Sequence, residues 1–86
     1  MASEYVKSKI RVALSPGDSV RIAREMLGWS QNELAKHTKI PQSTLSGIES
    51  DRISLGVERA KKLAVALKVH PAVLLFPQWN FDQSVA

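Results

Sequence analysis

Residues 30–50 hold two apolar patterns of helical period, each about two turns long, joined only by Lys39-Ile40. A helix that short is unstable alone in water, because the nucleation penalty exceeds what so few hydrogen bonds return. Both segments are therefore expected to fold only by packing on each other and on further helices. So short a connection also makes them meet at a corner. That corner limits the possible folds more than any other local feature of the chain.

Local signals define both sides of it. Ser30-Gln31-Asn32-Glu33 has the form of a capping box: the Ser30 hydroxyl accepts from the Glu33 amide, and the Glu33 side chain reaches back to the Ser30 amide. It opens a helix running to about Thr38 that buries Leu34 and Ala35. Pro41 suits the first turn of the next helix, where its missing N–H costs nothing. That helix runs from Gln42 to about Ser50, with Leu45 and Ile48 facing inward and Gln42, Ser43, Ser46 and Gly47 facing out.

Further helices flank this pair. Upstream, Ser15-Pro16-Gly17 breaks the chain and Asp18 is expected to cap a helix to Leu27, with Val20, Ala23 and Leu27 on one face and Gly28 as the stop. Downstream, a helix from Gly56 or Val57 buries Val57, Ala60, Leu63, Ala64 and Leu67, and a short one runs from Pro71 to about Leu75. The expected fold is all-α, a compact bundle of five short helices. Its boundaries are an N-terminal arm (1–16), the bundle (17–76) and a C-terminal tail (77–86). In the arm, Ile10, Val12 and Leu14 alternate with Lys9, Arg11 and Ala13, the period of an extended strand. Near the other end Phe76, Trp79 and Phe81 concentrate more apolar surface than a solvated tail carries. Packing back on the bundle and a dimer contact both account for them.

Composition narrows the function classes. Twelve Lys and Arg against eight Asp and Glu give net +4, a balance that favours a polyanionic partner. The absence of cysteine removes disulfides, cysteine-ligated zinc and thiol catalysis. His37 and His70 are too far apart for a short metal-ligand motif, and no nucleophile–base pair or phosphate-cradling loop stands out. Neither an enzyme, a metal nor a cofactor is expected. No apolar run exceeds five residues, as at Ala72–Phe76, far short of the roughly 20 that span a bilayer. Nor does the N-terminus show a signal peptide, so a cytoplasmic location is the default expectation.

Two short helices about a tight turn, the second presenting small polar residues, have the shape of a helix-turn-helix. Gln42 can pair two-handedly with adenine, Ser43 and Ser46 can meet several base edges, and Gly47 lets the backbone approach closely. On exposure alone, a solvated helix face is the commoner explanation. Ser30-Gln31-Asn32-Glu33-Leu34-Ala35, with Ile40-Pro41-Gln42-Ser43-Thr44-Leu45-Ser46-Gly47-Ile48-Glu49, resembles the Cro and lambda-repressor (XRE) helix-turn-helix family. The likeness continues through Leu63-Ala64-Val65-Ala66-Leu67 and Val69, and so spans about residues 18–75.

The resemblance implies roles at matching positions. Gln31 and Arg52 would hold DNA phosphates; Gln42, Ser43 and Ser46 would face base edges, with Thr44 on the adjacent backbone side. Arg24 and Glu49 match positions that form a buried ion pair in several family members. Lys39, Asp51 and Lys68 depart from the pattern, standing where the family usually has glycine, and Lys39 adds a charge near the phosphates. Trp29 occupies an apolar core position, while His37 and His70 are expected to be exposed or capping residues.

The implied function is a sequence-specific DNA-binding transcriptional regulator, an autorepressor acting as a homodimer on double-stranded operator DNA. No separate sensor domain is expected in a chain this short. Small members of this build include antitoxins of toxin–antitoxin operons, so a toxin partner gripped by the arm or tail is a further expectation; the basic arm lying along DNA phosphates is the alternative for that segment. The alternative is a protein-interaction module that keeps the fold and has lost DNA reading, with Gly47 and the bare serines as its signature.

Overall fold

The computed structural model describes residues 14–77. Within them lie five helices, α1 (Pro16–Met26), α2 (Gln31–Thr38), α3 (Gln42–Glu49), α4 (Val57–Leu67) and α5 (Pro71–Leu75), and no strand. The expected all-α bundle of five short helices is the observed fold. The alternating arm before Leu14 and the aromatic residues Trp79 and Phe81 lie outside the described residues.

Three of the five helices, α1, α2 and α5, start where a side chain accepts from a first-turn amide; α3 and α4 have no such bond. In α1 the N-cap is Ser15, not Asp18: the Ser15 hydroxyl accepts from the Asp18 amide at 3.0 Å, and the Asp18 carboxylate accepts from the Ser15 amide at 3.1 Å. Asp18 is thus the third helical residue of a capping box, and Pro16 takes the first position, for which its fixed φ is suited. The hydrogen bond from the Ser15 amide holds the Asp18 carboxyl below the usual carboxylate range. The Ser30–Glu33 box forms as its spacing suggests, with bonds of 3.1 and 2.7 Å. Pro41 is the N-cap of α3, one position before the first turn. His70 Nδ1 caps α5 by accepting from the Ala72 amide at 3.0 Å.

The three departures from the resembled pattern all adopt left-handed backbone: Lys39 has φ 64°, Asp51 64° and Lys68 63°. Each costs about 1 kcal/mol relative to glycine, somewhat less for Asp.

One core joins all five helices. Val20 from α1, Leu34 from α2, Leu45 and Ile48 from α3, Leu63 from α4 and Leu74 from α5 are fully buried. Ile40, Leu55, Ala60, Ala64 and Leu67 complete the cluster, with Ala23, Trp29 and Ala35 packed against it. Two residues assigned to the core lie outside it, Leu27 at 40% exposure and Val57 at 56%. Both sit at helix ends, Leu27 as the C-cap of α1 and Val57 as the first residue of α4, beyond the turns that face the core.

Candidate nucleic-acid interface

The corner between α2 and α3 is held by a threonine and an isoleucine. Thr38, buried at the end of α2, donates its hydroxyl to Leu34 O at 2.8 Å and accepts from the Ile40 amide at 3.2 Å. Lys39 bridges the two in left-handed geometry, its amide bonded to Ala35 O at 2.7 Å, and Ile40 drops into the core. With Asn32, Ala35, Lys36, Ile40 and Pro41, Lys39 lines an open groove of about 490 Å³ beside the corner. The exposed Lys36 and Lys39 place positive charge on that flank.

The corner sets the direction of α3. Gln42 and Ser43, at its start, are exposed; Thr44 and Ser46 are half-buried; Leu45 and Ile48 point inward. Gly47 corrects the expected outward face, because it is buried. Its carbonyl accepts from the amides of Arg52 at 2.9 Å and Ile53 at 3.0 Å. The loop after α3 thereby folds over it, and a Cβ on Gly47 would run into Ile53 Cδ1 and lie 2.8 Å from Ile53 Cγ1. A side chain at this position would have to displace Ile53.

Behind α3 lies an ion pair. The Arg24 guanidinium grips the Glu49 carboxylate with both arms, Nε to Oε2 at 2.7 Å and Nη2 to Oε1 at 2.9 Å. Its remaining arm, Nη1, donates to Trp29 O at 2.8 Å. The side chains are 11% and 5% exposed, so α1, the α1–α2 link and α3 are tied together largely out of water. Hydrogen bonding to Glu49 raises the already high pKa of Arg24 further.

A polar chain leads outward from that pair. Gln31 Nε2 donates to Glu49 Oε1 at 3.0 Å, and Gln42 Nε2 donates to Gln31 Oε1 at 2.7 Å. The ion pair, the first residue of α2 and the first residue of α3 form one network. The resemblance implies a phosphate contact for Gln31 and a base contact for Gln42 without signalling that the two touch. Their separation of 11 residues across a corner has no local periodic signature.

The remaining expected residues are placed as follows. Arg52 is exposed in the loop after α3, its Nε donating to Ser50 Oγ at 3.0 Å. Trp29 packs against the core, and His37 stacks on its outer face with centroids 4.0 Å apart and planes 5° from parallel. A role for Asp51 was missed. Its carboxylate accepts from the Ser15 hydroxyl and the Gly17 amide, at the opposite end of α1 from Arg24. Among the described residues, no group of three or more His, Cys, Asp or Glu could hold a metal ion, and no helix is long and apolar enough to cross a membrane.

Comparison with known proteins gives a consistent picture. The helix-turn-helix family model matches residues 20–74. A Neisseria meningitidis serogroup B protein described as a hypothetical transcription factor is 34% identical over 59 residues, 69% of this chain. The match spans 56% of that relative's length. The crystal structure of a hypothetical transcription factor from Neisseria superposes with a TM-score of 0.69 at 29% identity, covering 83% of this chain and 80% of the other. The P22 c2 repressor, crystallised with synthetic operator 9T, superposes with a TM-score of 0.70 at 25% identity, covering 74% of this chain and 97% of the other. The chain belongs to the lambda-repressor-like (XRE) helix-turn-helix family.

Proposed function

We propose that the protein is a sequence-specific DNA-binding transcriptional regulator that lays α3 in the major groove. The observation that carries this reading is the held, exposed Gln42 amide at the start of α3, where a recognition helix meets base edges. One Nε2 hydrogen of Gln42 is committed to Gln31, which leaves the second hydrogen and Oε1 for a two-handed pair with adenine N7 and N6. Likewise one Nε2 hydrogen of Gln31 goes to Glu49, and the other is available to a phosphate. Ser43 and Ser46 extend the reading surface, Thr44 borders it, and Arg52 and Lys39 flank it as phosphate contacts. The P22 c2 repressor, held on operator DNA in its crystal structure, supports the same use of this fold.

The regulator acts as a homodimer, because one small reading head covers a single half-site and paired heads reach two half-sites about 34 Å apart. Repression of its own operon and, in antitoxin fashion, capture of a toxin extend this reading. Co-purification of a neighbouring gene product from the host tests the toxin partner, and failure to recover one counts against it. The rival, an interaction module without DNA reading, took Gly47 as a mark of lost function. The contact between Gly47 and Ile53 gives that glycine a packing reason instead.

The test is binding to a duplex selected from a random pool, followed by anisotropy across salt concentrations. Affinity should fall with a log–log slope of about −0.9 per phosphate neutralised. Gln42→Ala should cost about 1–3 kcal/mol on the selected site and little on random duplex. Equal losses on both, or binding indifferent to salt, would overturn the reading.

A further inference from the structure

Asp51 follows the C-cap of α3 in left-handed backbone, φ 64°, where a side chain is a conformational cost. Each oxygen of its exposed carboxylate takes one hydrogen bond. Oδ2 accepts from the Ser15 hydroxyl at 2.6 Å and Oδ1 from the Gly17 amide at 3.1 Å. Both donors lie at the start of α1, and the Ser15 hydroxyl also accepts from the Asp18 amide, so the network closes on the α1 cap. The approach is tight: a Cβ on Gly17 would collide with Ile48 O and lie 2.7 Å from both Glu49 O and Asp51 Oδ1.

The residue after Asp51 is Arg52, whose amide is bonded to Gly47 O at 2.9 Å and whose side chain is exposed. A carboxylate beside a phosphate contact would ordinarily repel DNA. Here its charge is turned towards the positive end of α1, which offsets it. The carboxylate therefore fixes the loop without opposing its partner.

We propose that Asp51 is a positioning residue for the DNA-backbone contact: by tying the loop to the first turn of α1, it holds Arg52 in place relative to α3. This rests on the DNA-binding reading above. Because a phosphate contact is independent of sequence, a short duplex of mixed sequence is a sufficient probe.

The experiment compares Asp51→Gly with Asp51→Asn, in full-length protein and in an Arg52→Ala background. Both variants remove the same negative charge, and Asn keeps an acceptor for the Gly17 amide, so the difference between them reports geometry. Asp51→Gly should bind about fivefold more weakly than Asp51→Asn and show a shallower salt slope. In the Arg52→Ala background the two should bind alike. Equal binding when Arg52 is present overturns the proposal. So does a difference that persists without Arg52, which would mark Asp51 as merely structural. If the unmodified protein shows no salt-dependent duplex binding, the functional reading falls and this proposal with it, a result distinct from failure at Asp51 alone.

Discussion

Gln42 Nε2 lies 2.7 Å from Gln31 Oε1, and the direction of that hydrogen bond is set by a charge one step further in. Glu49 is a carboxylate that only accepts, so Gln31 must turn its Nε2 towards it, which leaves Oε1 to face Gln42. Gln42 must then present Nε2, and its Oε1 is left for the groove. A buried charge thus fixes which way an exposed amide points. Gln31→Ala should weaken binding to the selected site by about 1–2 kcal/mol, the scale of a lost phosphate contact plus a lost orienting bond. Gln31→Ala and Gln42→Ala combined should cost clearly less than the sum of the two, because each disables the same contact. Strict additivity in an anisotropy cycle would show the two amides acting independently.

The Arg24–Glu49 pair should matter for folding as well as for orientation. With side chains 11% and 5% exposed, removing either partner strands a desolvated charge. Arg24→Ala or Glu49→Ala should each cost about 3–5 kcal/mol, and the joint replacement Arg24→Met with Glu49→Leu much less. Urea unfolding followed by far-ultraviolet circular dichroism measures all three. Unchanged melting and DNA affinity in Arg24→Ala would remove the pair from both roles.

How much of this was legible in the sequence depended on how local each feature is. The Ser30–Glu33 box, the corner at Lys39-Ile40 and the inward turns of Leu45 and Ile48 are set within a few residues, and the pattern showed them. At α1 the reading of Asp18 as the cap, with Ser15 only part of a chain break, is one helical turn too late. Pro16 is the signal that corrects it, since proline prefers the first helical position and that places the cap at Ser15. Gly47 was misread because its burial comes from Arg52 and Ile53 folding back, which no helical period encodes. The contacts of Asp51 with Ser15 and Gly17 span 36 and 34 residues, and only the assembled bundle brings them together. Arg24 and Glu49 were paired through family resemblance, 25 residues apart, and not through their own spacing.

Gly47→Ala makes the loop contact measurable. Alanine gains about 1 kcal/mol of helix propensity over glycine, but its methyl would overlap Ile53 Cδ1 and crowd Cγ1. Overpacking of this kind costs about 1–3 kcal/mol, so the net effect should be a modest loss of stability. Ile53→Val removes Cδ1 and should recover part of that loss in the double variant. A Gly47→Ala protein that melts higher than the parent would show that the loop yields freely.

Lys39 and Lys68 separate backbone cost from charge. Both hold left-handed backbone at the C-cap of a helix, with φ 64° and 63°, and both expose their side chains. Replacement by glycine relieves about 1 kcal/mol of native strain at each, partly offset by the greater freedom of glycine in the unfolded chain. Each variant should therefore melt a few degrees higher, since about 1 kcal/mol corresponds to roughly 4–8 °C in a domain of this size. Their DNA affinities should differ. Lys39 flanks the start of α3, so Lys39→Gly should weaken duplex binding and make the salt slope shallower by up to one phosphate. Lys68 ends α4, and Lys68→Gly should leave the slope unchanged. Equal shifts in both salt slopes would mean that net charge, rather than the position of Lys39, governs its contribution to binding.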